Sequence, residues 1–277
     1  MGFKLGMAQI LVEGGRADAN LERAVQRIRQ AAAEGCRLVV LPECMDPGWT
    51  HPSARRLAQP IPGPTVDRLA AAARAHRIFV AAGLVERAAD RLFNAAVLIG
   101  ANGELLWLHR KINELDIALD LYSVGDRLGV VETELGALGL NICADNFPTS
   151  LAIGHTLARM GAQIILSPSA WAVDADHDNR VQPYGALWRD AYSQLTSLYD
   201  LTVVGVSHVG WLTEGPWQGR KVIGCSLAMG AGGRVLAEAP YGADAEALVV
   251  VDVEPLPPIA RGTQIAEVLQ QRGYTGP

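Results

Sequence analysis

Apolar residues along the chain alternate between two rhythms. Short continuous apolar runs, as in strands buried on both faces, give way to stretches where apolar side chains recur every three or four residues, the spacing of a helix face. Residues 4–11 read as a first strand. Asp18 and Asn20 are candidate caps, Leu21, Val25, Ile28 and Ala32 keep helical spacing, and Gly35 marks the stop. A second strand is predicted at 36–41, then a loop at 44–64, broken by prolines and glycines, with one short helix near 53–58. Residues 65–76 predict an amphipathic helix with Val66, Leu69 and Ala73 inward. Strands follow at 78–85 and 91–99, and the turn Ala101-Asn102-Gly103 returns the chain through 104–109. Residues 112–127 are acidic and mixed, a loop with room for a helical turn, and a hairpin of 130–134 and 137–142 leads to Cys143.

The second half repeats the alternation. A helix is predicted at 149–160, where Thr149 or Ser150 caps the start, and a strand at 163–167. A charged loop at 174–179 precedes a helix at 183–200 with Leu187, Ala191, Leu195 and Leu198 on one face. A strand at 201–207, a loop at 208–220 with Trp211 and Trp217, and strands at 222–229, 234–239 and 248–253 complete the pattern. From Glu254 onward the chain is Pro-rich and then polar, an arm rather than a core element. No linker interrupts residues 1–277, so one domain is expected. Helices mixed with strands and hairpins predict an α/β (α+β) chain with mixed sheets covered by helices, and the two similar halves suggest two sheets face to face.

Composition narrows the function. With 49% apolar residues the chain can bury a large core, and its net charge of -5 lacks the basic footprint of a nucleic-acid partner. Its apolar runs are too short for a membrane span, and residues 1–5 lead straight into a strand without a signal-peptide pattern. The four cysteines stand singly, with no CxxC pair and no zinc spacing, as expected of free thiols in a cytoplasmic protein.

Three residues stand at the carboxyl ends of apolar strands: Glu43, Lys111 and Cys143. Such ends line the ligand crevice in α/β sheets. Taken singly, Glu43 reads as a surface acid, Lys111 as part of a solvated pair with Arg110, and Cys143 as a small buried hydrophobe. Together they supply a carboxylate to move a proton, a thiol to attack carbonyl carbon, and an ammonium to stabilise the oxyanion. This chemistry requires neither metal nor organic cofactor.

The motifs in which they lie resemble those of the nitrilase, or carbon–nitrogen hydrolase, superfamily. The resemblance runs through Met7-Ala8-Gln9, Leu41-Pro42-Glu43, Asn94 with Gly103, Arg110-Lys111, the stretch from Gly139 through Cys143 to Pro148, Gly161-Ala162, the run from Ser167 to Trp171, Gly224-Cys225-Ser226 and Gly233. It implies a four-layer αββα sandwich of two mixed β-sheets and a Glu-Lys-Cys triad of Glu43, Lys111 and Cys143. It also implies an oxyanion held by Lys111 and the N–H of Ala144. A second acid is expected between the lysine and the cysteine, where Glu114 and Asp120 are both candidates, with Glu114 preferred. Asn146 stands where many relatives carry arginine, and Ala144-Asp145 replaces the Trp-Glu common in nitrile-active members, which favours amide or N-carbamoyl substrates over nitriles. The resemblance further implies a homodimer or higher assembly, with the arm from about residue 254 crossing between subunits.

Ala144, Asp120, Asp145, Asn146, Trp49 and Trp171 are the candidate substrate-contacting residues. Trp49, Trp171 and His177 either line a pocket or cover the core. Cys44 points away from Glu43's face and reads as structural. His109, two residues before Lys111, leaves a Cys143–His109 pair open. Gly230–Gly233 lacks the setting of a phosphate loop and reads as a hairpin turn. The rivals to an amide or carbamoyl hydrolase are a nitrilase, a metabolite-binding or regulatory protein with the same site, and a thiol redox sensor.

Overall fold

The computed structural model describes residues 2–275 apart from 260, 261 and 263. Its first half runs β1 (Phe3–Gln9), α1 (Ala17–Ala33), β2 (Cys36–Val40), α2 (Ala54–Leu57), α3 (Pro64–His76), β3 (Phe79–Ala88), β4 (Arg91–Ile99) and β5 (Leu105–Arg110). The middle holds β6 (Val130–Thr133), β7 (Gly136–Leu140), α4 (Leu151–Arg159), β8 (Ile164–Ser169), β9 (Ala172–Val173) and α5 (Ala186–Tyr199). The rest comprises β10 (Thr202–Ser207), β11 (Val209–Trp211), β12 (Lys221–Ile223), β13 (Leu227–Gly230), β14 (Arg234–Glu238), β15 (Ala247–Val253) and α6 (Ile265–Gln271).

Two six-stranded sheets result, ordered β15-β1-β2-β3-β4-β5 and β14-β13-β10-β8-β7-β6. In the first, β1, β2 and β3 run parallel; in the second, β7, β8 and β10 do. Alternation along the strands decides the layering, because successive side chains point to opposite faces. Leu38 and Val40 of β2 join Leu138, Leu140, Ile164 and Leu166 between the sheets, while Val39 faces Leu21, Ile28 and Leu69 of α1 and α3. On the far side, a side chain at Gly139 would meet Leu157 of α4, and one at Gly205 would meet Tyr192 of α5. The layers are therefore α1 and α3, first sheet, second sheet, α4 and α5, the sandwich that the resemblance implied.

The expected strand at 222–229 is two strands, β12 and β13, in different sheets. The chain turns through Gly224 at φ +65° and Cys225 at φ +56°. A side chain at Gly224 would sit 2.2 Å from Gln9, so only glycine lets the two segments approach so closely. β12 then pairs with β11 and β9 in a small third sheet within what read as loop. Helix α4 starts two residues late because residues 143–146 and 148–150 form 3-10 turns. Ser150 stands at its N-cap, but its hydroxyl donates to the Ala144 carbonyl instead of capping. Arg16, not Asp18 or Asn20, precedes α1, and Asn20 is buried, bonding the carbonyls of Glu13 and Asp46.

The described part of the arm lies on its own chain. Gln163 donates to the Leu256 carbonyl, Arg272 pairs with Asp200, and Leu269 is buried. Residues 260, 261, 263, 276 and 277 of the arm lie outside the described set. Among the described residues no helix is long and apolar enough to cross a membrane.

Candidate active site

The two facing sheets place β2 and β7, from their parallel cores, and β5, the antiparallel edge strand of the first sheet, so that the residues following them converge. The segment after β2 is pinned to β3 by Gly83 N–H donating to the Pro42 carbonyl (3.0 Å) and Met45 N–H donating to that of Gly83 (2.9 Å). Glu43 N–H donates across to the Ser169 carbonyl of the second sheet (3.2 Å), tying the carboxylate to the sheet that carries Cys143. Lys111 follows β5, its N–H bonded to the Asn94 carbonyl of β4 (2.8 Å). Cys143 follows β7 at φ +44°, an uncommon left-handed geometry for a residue with a side chain, held by its N–H to Ser167 Oγ (3.2 Å).

Glu43 and Lys111 are buried, and Glu43 Oε1 lies 2.7 Å from Lys111 Nζ. The same oxygen accepts from Asn94 Nδ2 (2.6 Å). The other oxygen, Oε2, is buried without a hydrogen bond. Burial opposes charge on Lys111, but Glu43 and Glu114 outweigh it and hold its pKa well above the ordinary value. Glu114 Oε2 lies 3.8 Å from Lys111 Nζ. Burial, reinforced by the charge of Glu43, pushes the Glu114 carboxyl up to about 7 against the pull of Lys111. Burial and the charge of Glu43 also hold the Cys143 thiol protonated, opposed by Lys111 and by the Ala170 N–H. Its proton therefore leaves only when a base takes it.

Of the two second-acid candidates, Glu114 stands beside the lysine. Asp120 does not: its side chain is exposed and its carbonyl accepts from Arg55. Asp145 is also removed from substrate. It accepts from His109 Nε2 (2.9 Å) and from the N–H groups of Ile112 (3.2 Å), Asn113 (2.7 Å) and Ile142 (2.9 Å). Burial alone would raise its pKa, but the bond to His109, the Asn113 N–H and the charge of Lys111 lower it. Asp145 thus fastens the lysine strand to the cysteine turn, and His109 is paired with it rather than with Cys143. Asn146 spends its amide on Asn141 and Ser167, because it lies between β7 and β8 behind the cysteine. Ala144 is buried in the cysteine turn, its carbonyl held by Asn113 Nδ2 (2.7 Å) and Ser150 Oγ (3.1 Å). Cys44 is buried among Trp49, Val85 and Tyr122.

A cavity of about 330 Å³ opens beside Cys143, lined among others by Phe147, Trp171, Tyr184 and Trp188. Trp171 and His177 line it; Trp49 does not, packing edge-on against Trp217, with ring centroids 5.1 Å apart. Asn94, which the sequence offered only as part of a hairpin motif, and Trp188 are site residues that sequence reasoning did not predict. Asn94 left a trace, a lone amide in the apolar run from Leu92 to Ile99, whereas Trp188 reads as one more apolar residue of an amphipathic helix. Among the described residues no cluster of three or more His, Cys, Asp or Glu is arranged to hold a metal.

Fold and site together define a class of thiol-bearing αββα proteins, and sequence comparison gives it a family. The carbon-nitrogen hydrolase model matches residues 5–255, and the chain belongs to that family. It is 31% identical over 179 residues to the omega-amidase NIT2 of Xenopus tropicalis, a match covering 61% of this chain and 64% of that protein. The human omega-amidase NIT2 is 30% identical over the same shares. The match thus spans under two thirds of these curated relatives. Among solved structures, an amidase from Nesterenkonia sp. has a TM-score of 0.76 at 22% identity, covering 92% of this chain and 90% of that one. A carbon-nitrogen hydrolase from Helicobacter pylori G27 has a TM-score of 0.82 at 22% identity, covering 98% and 92%. A structure of a mutant of the Nesterenkonia amidase carries the product of Michael addition of acrylamide at its active-site cysteine.

Proposed function

We propose that this chain hydrolyses the carbon–nitrogen bond of a small linear amide through a Cys143 thioester, with Glu43 as acid and base and Lys111 as oxyanion partner. N-carbamoyl compounds are the nearest alternative substrates. The observation that carries the reading is the buried carboxylate of Glu43, with one oxygen fixed by Lys111 and Asn94 and the other unbonded, beside a thiol on a left-handed turn. Glu43 Oε2 takes the thiol proton as Cys143 Sγ attacks the carbonyl carbon. Lys111 Nζ and the Ala144 N–H hold the oxyanion. As the C–N bond breaks, Glu43 returns the proton to the nitrogen, and ammonia or an amine departs. Water then gives a proton to Glu43 and attacks the thioester. A second oxyanion collapses, the C–S bond breaks, and Glu43 reprotonates the sulfur. Glu114 keeps Lys111 charged and placed.

The same reading makes the protein a cytoplasmic homodimer or larger homo-oligomer. Ammonia release from a panel of amides, N-carbamoyl amino acids and nitriles tests the chemistry, with Cys143→Ala beside the wild type. Release from amides by the wild type alone is expected. Equal release by both proteins, or no release together with no mass adduct on Cys143 from a haloacetamide, overturns it.

A further inference from the structure

We propose that the cavity beside Cys143 selects an uncharged, apolar acyl group, a branched alkyl chain or a single aromatic ring, and excludes an acyl group bearing a carboxylate. This deepens the amidase reading and rests on it. The walls are aromatic and interlocked. The rings of Trp171 and Trp188 stack at 4.8 Å with 18° between planes, Phe147 lies 5.4 Å from Trp188, and Tyr184 6.2 Å from Trp171. Leu115 and Trp217 continue the lining. Each tryptophan is held in place. Trp188 Nε1 donates to Tyr184 Oη (2.9 Å), whereas Trp171 is held by its backbone N–H, which donates to Ser207 Oγ (2.9 Å), and by packing of its ring against Gly205, its Nε1 being buried without a partner. Both tryptophans are almost fully buried, so the wall keeps its shape.

Charge makes the selection. No lysine or arginine is among the described residues lining the cavity, whose polar side-chain atoms belong to Cys143, Tyr184, Gln182, His177 and the indoles of Trp171, Trp188 and Trp217. Neighbouring cations are committed elsewhere. Arg220 pairs with Asp174 behind the Trp217 ring, Arg189 with Glu238, Arg180 with Asp178, and Lys221 Nζ donates to the His177 carbonyl. A carboxylate drawn into this space loses its water and meets no lysine or arginine among the described lining residues, whereas each buried methylene is favourable. The 330 Å³ volume is near the lower end for small-molecule sites, about 300–1,000 Å³, which suits a group of one ring or a short branched chain.

The test compares kcat/KM for acetamide, propionamide, 4-methylpentanamide and phenylacetamide with that for succinamate, whose carboxylate replaces the isopropyl end of 4-methylpentanamide. Each added methylene is expected to raise kcat/KM about fourfold. 4-Methylpentanamide should exceed succinamate by about a hundredfold or more. Leu187→Arg puts a cation on a partly exposed lining residue and should raise the succinamate value at least about threefold. Trp188→Ala should erase the preference for phenylacetamide over acetamide if it folds, and Leu187→Arg tests the charge argument independently. Succinamate turned over as well as 4-methylpentanamide overturns the inference while leaving the amidase reading intact. Failure of every amide, with Cys143 unacylated, is instead failure of the amidase reading itself.

Discussion

Glu114→Gln is expected to yield a protein that is more stable and less active, with the stability gain growing as pH rises. The Glu114 carboxyl titrates at 4.5 when unperturbed and at about 7 in the fold, because burial outweighs the attraction of Lys111. Lys111 Nζ at 3.8 Å is beyond hydrogen-bond reach of Oε2. Well below 4.5 the carboxyl is neutral in both folded and unfolded chains and contributes nothing to the pH dependence. Between 4.5 and 7 only the unfolded chain releases the proton, so stability falls with rising pH. Above 7 both states are ionised and the full penalty, about 3 kcal/mol, is in place. Glutamine resembles the protonated acid and removes that penalty. Urea unfolding of both proteins at about pH 4 and about pH 8.5 measures the change, since a shifted midpoint at constant slope reports stability. The variant should gain up to about 3 kcal/mol relative to the wild type between the two pH values. At the same time Lys111 loses one of its two facing carboxylates, and kcat/KM should fall about ten- to hundredfold. A stability difference independent of pH, or a wild type that is the more stable protein at the higher pH, refutes the reasoning.

Gly83→Ala should impair turnover from behind the site. Its Cβ would lie 2.5 Å from Glu43 Cα and 2.6 Å from the Pro42 carbonyl, so the segment carrying Glu43 must move. A loss of about 1–3 kcal/mol in thermal unfolding and about a hundredfold in kcat/KM is expected; unchanged turnover would show that Glu43 tolerates the shift. Asp145→Asn removes the charge facing His109 and puts an amide NH2 either against the N–H groups of Ile112 and Asn113 or against the Ile142 N–H and His109, and should destabilise the fold by about 3–5 kcal/mol in urea titration. In the wild type the contribution of Asp145 is present above the ordinary carboxylate pKa and is lost as pH falls through its lowered folded value. Sedimentation at micromolar concentration should show a dimer or larger species, and a monomer counts against that expectation.

What the sequence determined by itself follows from local patterning. Continuous apolar runs marked the strands that lead to Glu43, Lys111 and Cys143, in β2 and β7 because buried parallel strands leave no polar alternation, and helical spacing marked α1, α3, α4 and α5. The motifs around the three residues were enough to suggest the family. Other features depended on contacts distant in the chain. The break at Gly224 arises from the approach of Gln9, more than two hundred residues earlier, which no local window contains. Asp145 and Asn146 read as candidates for substrate contact because the resemblance puts them directly after the nucleophile. Tertiary structure instead turned Asp145 to His109 and the N–H groups after β5, and Asn146 to Asn141 and Ser167. Glu114 and Asp120, six positions apart, were separated only by the path of the loop, which buries one beside Lys111 and exposes the other. The aromatic wall brings together the cysteine turn, the segment after β8 and α5, and only their packing gives three apolar segments a common face. Strands and helices form from nearest-neighbour preferences, whereas burial, pairing and cavity shape are decided by which distant segments meet.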